Sequence, residues 1–140
     1  MILVDLNVVL DVLQAREPHY RASAAVLDRI VNRQDVGLMA GHALTTVHYL
    51  VARYRNHQAA QEAVDLLLRH FLIAAVGREQ LLRARNLGWL DFEDAVVAAA
   101  AESAGCTCIV SRNIKDFVNS PVETVTPEEY LLTLAPGNPS

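Results

Sequence analysis

The sequence predicts an α/β domain: a parallel sheet of about five short strands, flanked by helices on both faces in a three-layer sandwich. Three observations carry this expectation. Short apolar runs recur along the 140-residue chain at Ile2-Leu3-Val4, Val36 to Ala40, Phe71 to Val76, Thr107 to Val110 and Val122 to Val125. Unbroken apolar runs, rather than strict apolar/polar alternation, suit strands buried on both faces. Segments with helical spacing separate these runs, as the crossovers of a parallel sheet require. No repeat or linker interrupts the chain, so residues 1 to 134 are expected to form one domain. The Pro/Gly/Ser-rich stretch 135 to 140 is expected to fray as a flexible tail.

Each element has a local cause. Ile2-Leu3-Val4 ends at Asp5, and Asn7 can cap a helix whose apolar face is Val8, Val9, Val12 and Leu13. Glu17-Pro18 ends that helix, because proline disfavours helical geometry in the residue before it. From His19 to Arg33, Ala22, Ala25, Val26, Ile30 and Val31 follow helical spacing toward the second strand. Residues 43–55 and 57–70 read as two helices, with stripes at Leu44, Val47, Leu50 and Val51, then Ala60, Val64, Leu67 and Leu68. After the third strand, a helix near 78–86 leads to another that Asp91 opens and Gly105 closes. Pro127 starts the final helix.

Composition excludes several classes. The longest unbroken apolar run, Ala95 to Ala101, has seven residues, too few to span a bilayer. Met1-Ile2-Leu3-Val4-Asp5 lacks a basic segment and carries an early carboxylate, so no secretory signal is expected and the location is read as cytoplasmic. Cys106 and Cys108 are read as small core residues on one strand face, unsuited to a disulfide across a single residue. Sixteen acids against twelve bases leave a net charge of −4, without a basic block. Eleven of the twelve bases are arginine, and Lys115 is the sole lysine. Neither a glycine-rich phosphate loop nor a G-x-S-x-G elbow occurs, which argues against nucleotide-cradling and serine-hydrolase chemistry.

In a parallel sheet, ligands gather beyond the carboxyl ends of the strands. Asp5 follows the first strand, while Ser111, Arg112, Asn113 and Asp116 follow the fourth. Asp91, Glu93 and Asp94 open the helix leading into that fourth strand. Asp91 is a natural N-cap, and Asp94 three residues on could complete a capping box. Carboxylates from three segments would nevertheless meet at one edge, and at about 5 Å each pair costs roughly 3 kcal/mol at an effective dielectric of 20. Such a group calls for a cation or raised pKa values, and all-oxygen ligation favours Mg²⁺ or Mn²⁺.

The series Asp5-Leu6-Asn7-Val8-Val9-Leu10-Asp11, Asp91-Phe92-Glu93-Asp94-Ala95 and Ser111-Arg112-Asn113-Ile114-Lys115-Asp116-Phe117, followed by Ser120-Pro121, resembles the PIN-domain family. It looks most like the bacterial branch that includes the VapC-type toxins, over residues 2 to about 131. The resemblance implies a metal-dependent endoribonuclease, often homodimeric and often paired with an antitoxin protein. Its catalytic metal carboxylates match Asp5, Asp94 and Asp116; Asn7, Asn113 and Ser111 match supporting positions. The sequence departs from the family twice. Leu6 stands where Thr or Ser is usual, and no acidic residue lies between Asp35 and Glu62, where family members carry a helix glutamate. His48 is the best match to that position, with Thr46 or Tyr49 as neighbouring registers. One metal is then favoured over two, and hydrolysis is expected to be slow. The alternative is a PIN-like domain that binds RNA or protein without cleaving it.

RNA contacts are expected from Arg112 and Lys115 rather than from net charge. The 43–55 and 57–70 helices are expected to supply a homodimer surface. The second offers Leu66, Leu67, Leu68 and Phe71, with the small Ala59, Ala60 and Ala63 allowing close helix approach.

Overall fold

The computed structural model describes residues 1–134; the tail expected at 135–140 lies outside the described residues. The chain alternates strands and helices: β1 (Ile2–Val4), α1 (Leu6–Leu13), α2 (Tyr20–Val31), β2 (Gly37–Ala40), α3 (Gly41–Tyr54), α4 (His57–His70), β3 (Leu72–Ala74), α5 (Arg78–Leu87) and α6 (Phe92–Ala104). Then come β4 (Cys108–Val110), a 3-10 helix (Ile114–Phe117), β5 (Thr124–Val125) and α7 (Pro127–Thr133). All five strands join one parallel sheet in the order β3-β2-β1-β4-β5. The chain thus winds outward from β1 in both directions, and the switch point falls between β1 and β4.

The strands sort their side chains by alternation. Ile2, Val4, Met39 and Val110 face a core shared with α1, α2, α3, α4 and α7, where Val8, Val26, Val47, Leu67 and Tyr130 meet. Leu3, Leu38, Ala40, Ala74 and Ile109 face the opposite core, built with Val97, Ala98, Ala100 and Ala101 of α6 and with Phe117. Beyond α6 lies α5, whose Ala84 packs on Ala95, Val96 and Ala99. Lying between the sheet and α5, α6 is apolar on every face through its middle, where Ala95 to Ala101 are all buried. Alanine lets both neighbours approach closely, so Asp94 stands at the end of a firmly held rod.

Two glycines answer specific needs. Gly105 ends α6 at φ 74°, the left-handed geometry of a helix stop. Gly37 begins β2 so close to Ile30 that an added Cβ would lie 2.5 Å from Ile30 Cδ1.

Three expectations need correction. The cap of α1 is Asp5, whose Oδ1 accepts the Leu6 N–H at 2.8 Å, while the Asn7 side chain turns to Ser111. The cysteines do not share a face: Cys106 lies before β4 in the α6-side core, and Cys108 joins the opposite core, both as free thiols. The 6→1 closure after Gly105, in which the Cys106 N–H donates to the Ala101 carbonyl, keeps Cys106 out of the strand and breaks the alternation. On α4, Ala60, Ala63, Leu67 and the following Phe71 are taken into the chain's own core; Leu66 and Leu68 remain exposed.

Candidate metal centre

Register places the first residues after β1 and β4 side by side. Val4 pairs with Val110, and the Asp5 N–H donates to the Val110 carbonyl at 2.9 Å, so Asp5 and Ser111 emerge together at the switch point. The Ser111 hydroxyl donates to Asp5 Oδ2 at 2.8 Å; both residues are buried. Asn7 Nδ2 donates to Ser111 Oγ at 3.3 Å, its Oδ1 accepts the Arg112 N–H at 3.3 Å, and Ser111 Oγ accepts the Asn113 N–H at 3.1 Å. Asn113 Nδ2 in turn donates to Asp116 Oδ2. A continuous polar chain therefore runs from Asp5 through Ser111 and Asn113 to Asp116.

The third segment is the first turn of α6. Asp91 caps it, its Oδ1 accepting the Asp94 N–H at 3.0 Å. Asp91, Asp94 and Asp116 each present a carboxylate oxygen within 4.8 Å of the others, a group able to hold a metal ion. Among the described residues no other such group of three occurs, and Asp5 lies outside it. Asp5 is still close enough for its charge to act on Asp94.

Electrostatics show the strain of this crowding. Burial pushes the Asp94 carboxyl up, and the carboxylates of Asp5, Asp91, Asp116 and Glu93 push it further, to about 7. Burial also raises Asp5, against the lowering effect of its bonds from Ser111 and the Leu6 N–H. Asp94 Oδ2 is buried without a hydrogen-bond partner. An unpaired carboxylate oxygen among like charges fits a hard divalent cation, and the all-oxygen donor set suits Mg²⁺ or Mn²⁺.

A family model described as the PIN domain matches residues 1–115. The chain belongs to the PIN-domain family. Solved structures share the PIN fold seen here. A chain of a toxin-antitoxin complex from Klebsiella pneumoniae is 22% identical, with a TM-score of 0.70 over 91% of this chain and 98% of that one. VapBC2 from Rickettsia felis, bound to a promoter DNA fragment, is 16% identical, with a TM-score of 0.70 over 90% of this chain and 98% of that one. VapC20 from Mycobacterium tuberculosis, a toxin that cleaves the sarcin-ricin loop, is 19% identical, with a TM-score of 0.63 over 78% of this chain and 87% of that one. No curated protein matches the sequence.

Within this PIN domain the expected residues separate into two sets. Asp94 and Asp116 meet in the acidic group, and Asp5, Asn7, Ser111 and Asn113 form the bonded chain beside it. Lys115 is exposed on the 3-10 helix next to Asp116. Two residues turn elsewhere. Arg112 Nε makes a 2.6 Å ionic contact with Asp11 Oδ2, although its N–H does not point along that line. Asp11 is wholly buried and also accepts the Ser23 hydroxyl at 3.0 Å. His48 packs edge-to-face on His57 of α4 at 5.5 Å and borders a surface hollow with Gln61, Val64 and Asp65.

In the sequence Asp91 reads as a cap, because spacing cannot show that one carboxylate both caps a helix and faces a neighbour. Trp89, Leu90, Phe92 and Val118, which carry no chemical signal in the sequence, line with Asp91 and Asp116 a cavity of about 680 Å³.

Proposed function

We propose that this PIN domain is a metal-dependent endoribonuclease of the toxin type, hydrolysing RNA phosphodiester bonds slowly at one Mg²⁺ or Mn²⁺ ion. The reading rests on one observation above others: Asp91, Asp94 and Asp116 converge within 4.8 Å while Asp94 is driven to about 7. Asp94 and Asp116 hold the ion, and Asp5 completes its negative surroundings from the end of β1. A bound divalent ion supplies Lewis acidity to the phosphate and a water of lowered pKa.

The chain's own groups do the rest. Asp94 releases its proton as the ion enters. Ser111 holds the Asp5 carboxylate in place, and Asn113 holds Asp116. Of the two basic residues expected at the RNA, Lys115 is the one we assign to phosphate, since Arg112 is engaged with Asp11. The fold it shares with VapC chains supports an antitoxin partner and a cytoplasmic site of action. A homodimer through the exposed Leu66 and Leu68 of α4 completes the proposal. Among the described residues no helix is long and apolar enough to cross a membrane.

The test is cleavage of a labelled RNA in Mn²⁺, in chelator, and with Asp94→Asn. Loss of cleavage in chelator and in the variant is expected; cleavage that survives both overturns the metal mechanism. One observation favours a second reading, binding without cleavage: α3 carries no acidic residue. Tight RNA binding with no product in Mn²⁺ would select it.

A further inference from the structure

The imidazole of His42 stands apart from every other histidine in the fold. Both its ring nitrogens are shielded from solvent, and neither has a hydrogen-bond partner. Buried polar atoms nearly always find a protein or water partner, so an orphan pair marks a place where something else belongs. Chain geometry says where that place is. β2 ends at Ala40, α3 starts at Gly41, and β2 is the direct neighbour of β1, which Asp5 follows. His42 also lies close enough to Asp5 for the two side chains to interact electrostatically. The Thr45 hydroxyl donates to the His42 carbonyl at 2.8 Å and the Thr46 hydroxyl at 3.5 Å, so the first turn of α3 is tied down around it.

We propose that His42 is a positioning residue of the metal centre, one imidazole nitrogen accepting a hydrogen bond from a water in the ion's shell on the Asp5 side. This rests on the metal-dependent reading above. It gives α3 a part in the site that its lack of carboxylates otherwise denies. The contribution is a nitrogen acceptor that orients bound water and adds no further negative charge to an already crowded group. Groups that orient metal-bound atoms in this way typically change metal affinity by roughly 10–100-fold when removed.

Calorimetric titration with Mn²⁺ alone tests the proposal on the full chain: wild type, His42→Ala, His42→Gln, and His57→Ala as a surface-histidine control. His42→Ala is expected to bind Mn²⁺ at least about tenfold more weakly with its circular dichroism unchanged, His42→Gln to recover part of the loss, and His57→Ala to match wild type. A His42→Ala affinity within about twofold of wild type overturns the proposal, because a purely structural histidine would not alter ion binding. Should His42→Ala fail to fold, imidazole ¹⁵N shifts of the wild type during Mg²⁺ titration decide it. A His42 nitrogen that moves on saturation supports the contact, and one that stays fixed overturns it. Wild type that binds no Mn²⁺ removes the metal reading and this inference together; binding that is indifferent to His42 removes only the inference.

Discussion

Asp94 sits where burial and four neighbouring carboxylates oppose its ionisation, and its carboxyl is pushed up to about 7 as a result. The ordinary value is 3.8, so between roughly pH 4 and 7 the folded chain holds a proton that the unfolded chain has released. The contribution of Asp94 to the stability of the ion-free protein is therefore fully present below about pH 4 and is lost as pH rises through 7, and Asp5, also raised, acts in the same direction. Thermal melts in chelator should fall from pH 5 to pH 7, and Asp94→Asn should flatten that slope and raise the pH 7 melting temperature by a few degrees. Ion binding must displace the same proton, so Mn²⁺ affinity should drop about tenfold per pH unit below 7, measurable by titration at three pH values. The Asp11–Arg112 contact makes a different prediction. Asp11 is completely buried, and Arg112→Ala strands its charge at a cost of about 3–5 kcal/mol in chemical denaturation. Asp11→Asn in the same chain should recover part of it. If Arg112→Ala instead leaves stability intact and flattens the salt dependence of RNA binding, the arginine serves RNA after all.

At the scale of elements, α3 explains why the missing family carboxylate was hard to place from sequence. Residues 42 and 46 are four apart and share a face, whereas 48 lies roughly 200° round the helix from 46. The structure accordingly puts His48 against His57, on the α4 side. Thr46→Glu should then strengthen Mn²⁺ binding and speed RNA cleavage, while His48→Glu should do neither; the reverse pattern would show that the helix is rotated from the arrangement described. Most strands were legible because each is an apolar run bracketed by a polar residue or a turn, as Ile2–Val4 is by Asp5. The α1 cap was not legible, since Asp5 and Asn7 are equally good capping residues and only the Ser111 hydroxyl, 104 positions from Asn7, separates their roles. Close packing makes its own prediction at β2. Gly37→Ala drives a methyl into Ile30, which is itself 3% exposed, and should destabilise the fold by about 1–3 kcal/mol in urea.

For the molecule as a whole, the sheet order did what the sequence could only suggest, bringing residues 5, 94 and 116 to one edge. Their identities were readable because Asp5 closes a buried strand, Asp94 opens a helix and Asp116 follows the fourth strand, three segments whose carboxylates a parallel sheet can gather at one edge. Who touches whom was not readable, because the spacing along the chain does not tell that Asp91 enters the 4.8 Å group and Asp5 does not. The dimer surface was overestimated for a related reason: α3 and α4 pack on each other and on the sheet, using up Leu67 and Phe71 and leaving Leu66 and Leu68 outside. Light scattering at micromolar concentration should give twice the 15.4 kDa chain mass, and Leu66→Glu should halve it; a monomeric wild type defeats the proposed interface. The placement of β4 beside β1 has a last consequence, for synthesis. A nascent chain leaving the ribosome carries Asp5 first and Asp116 more than a hundred residues later, and β1 has no β4 to lie against until the segment at 108–110 has emerged. The acidic group is thus incomplete until the segment carrying Asp116 has emerged, so a shorter nascent chain cannot present the three carboxylates together.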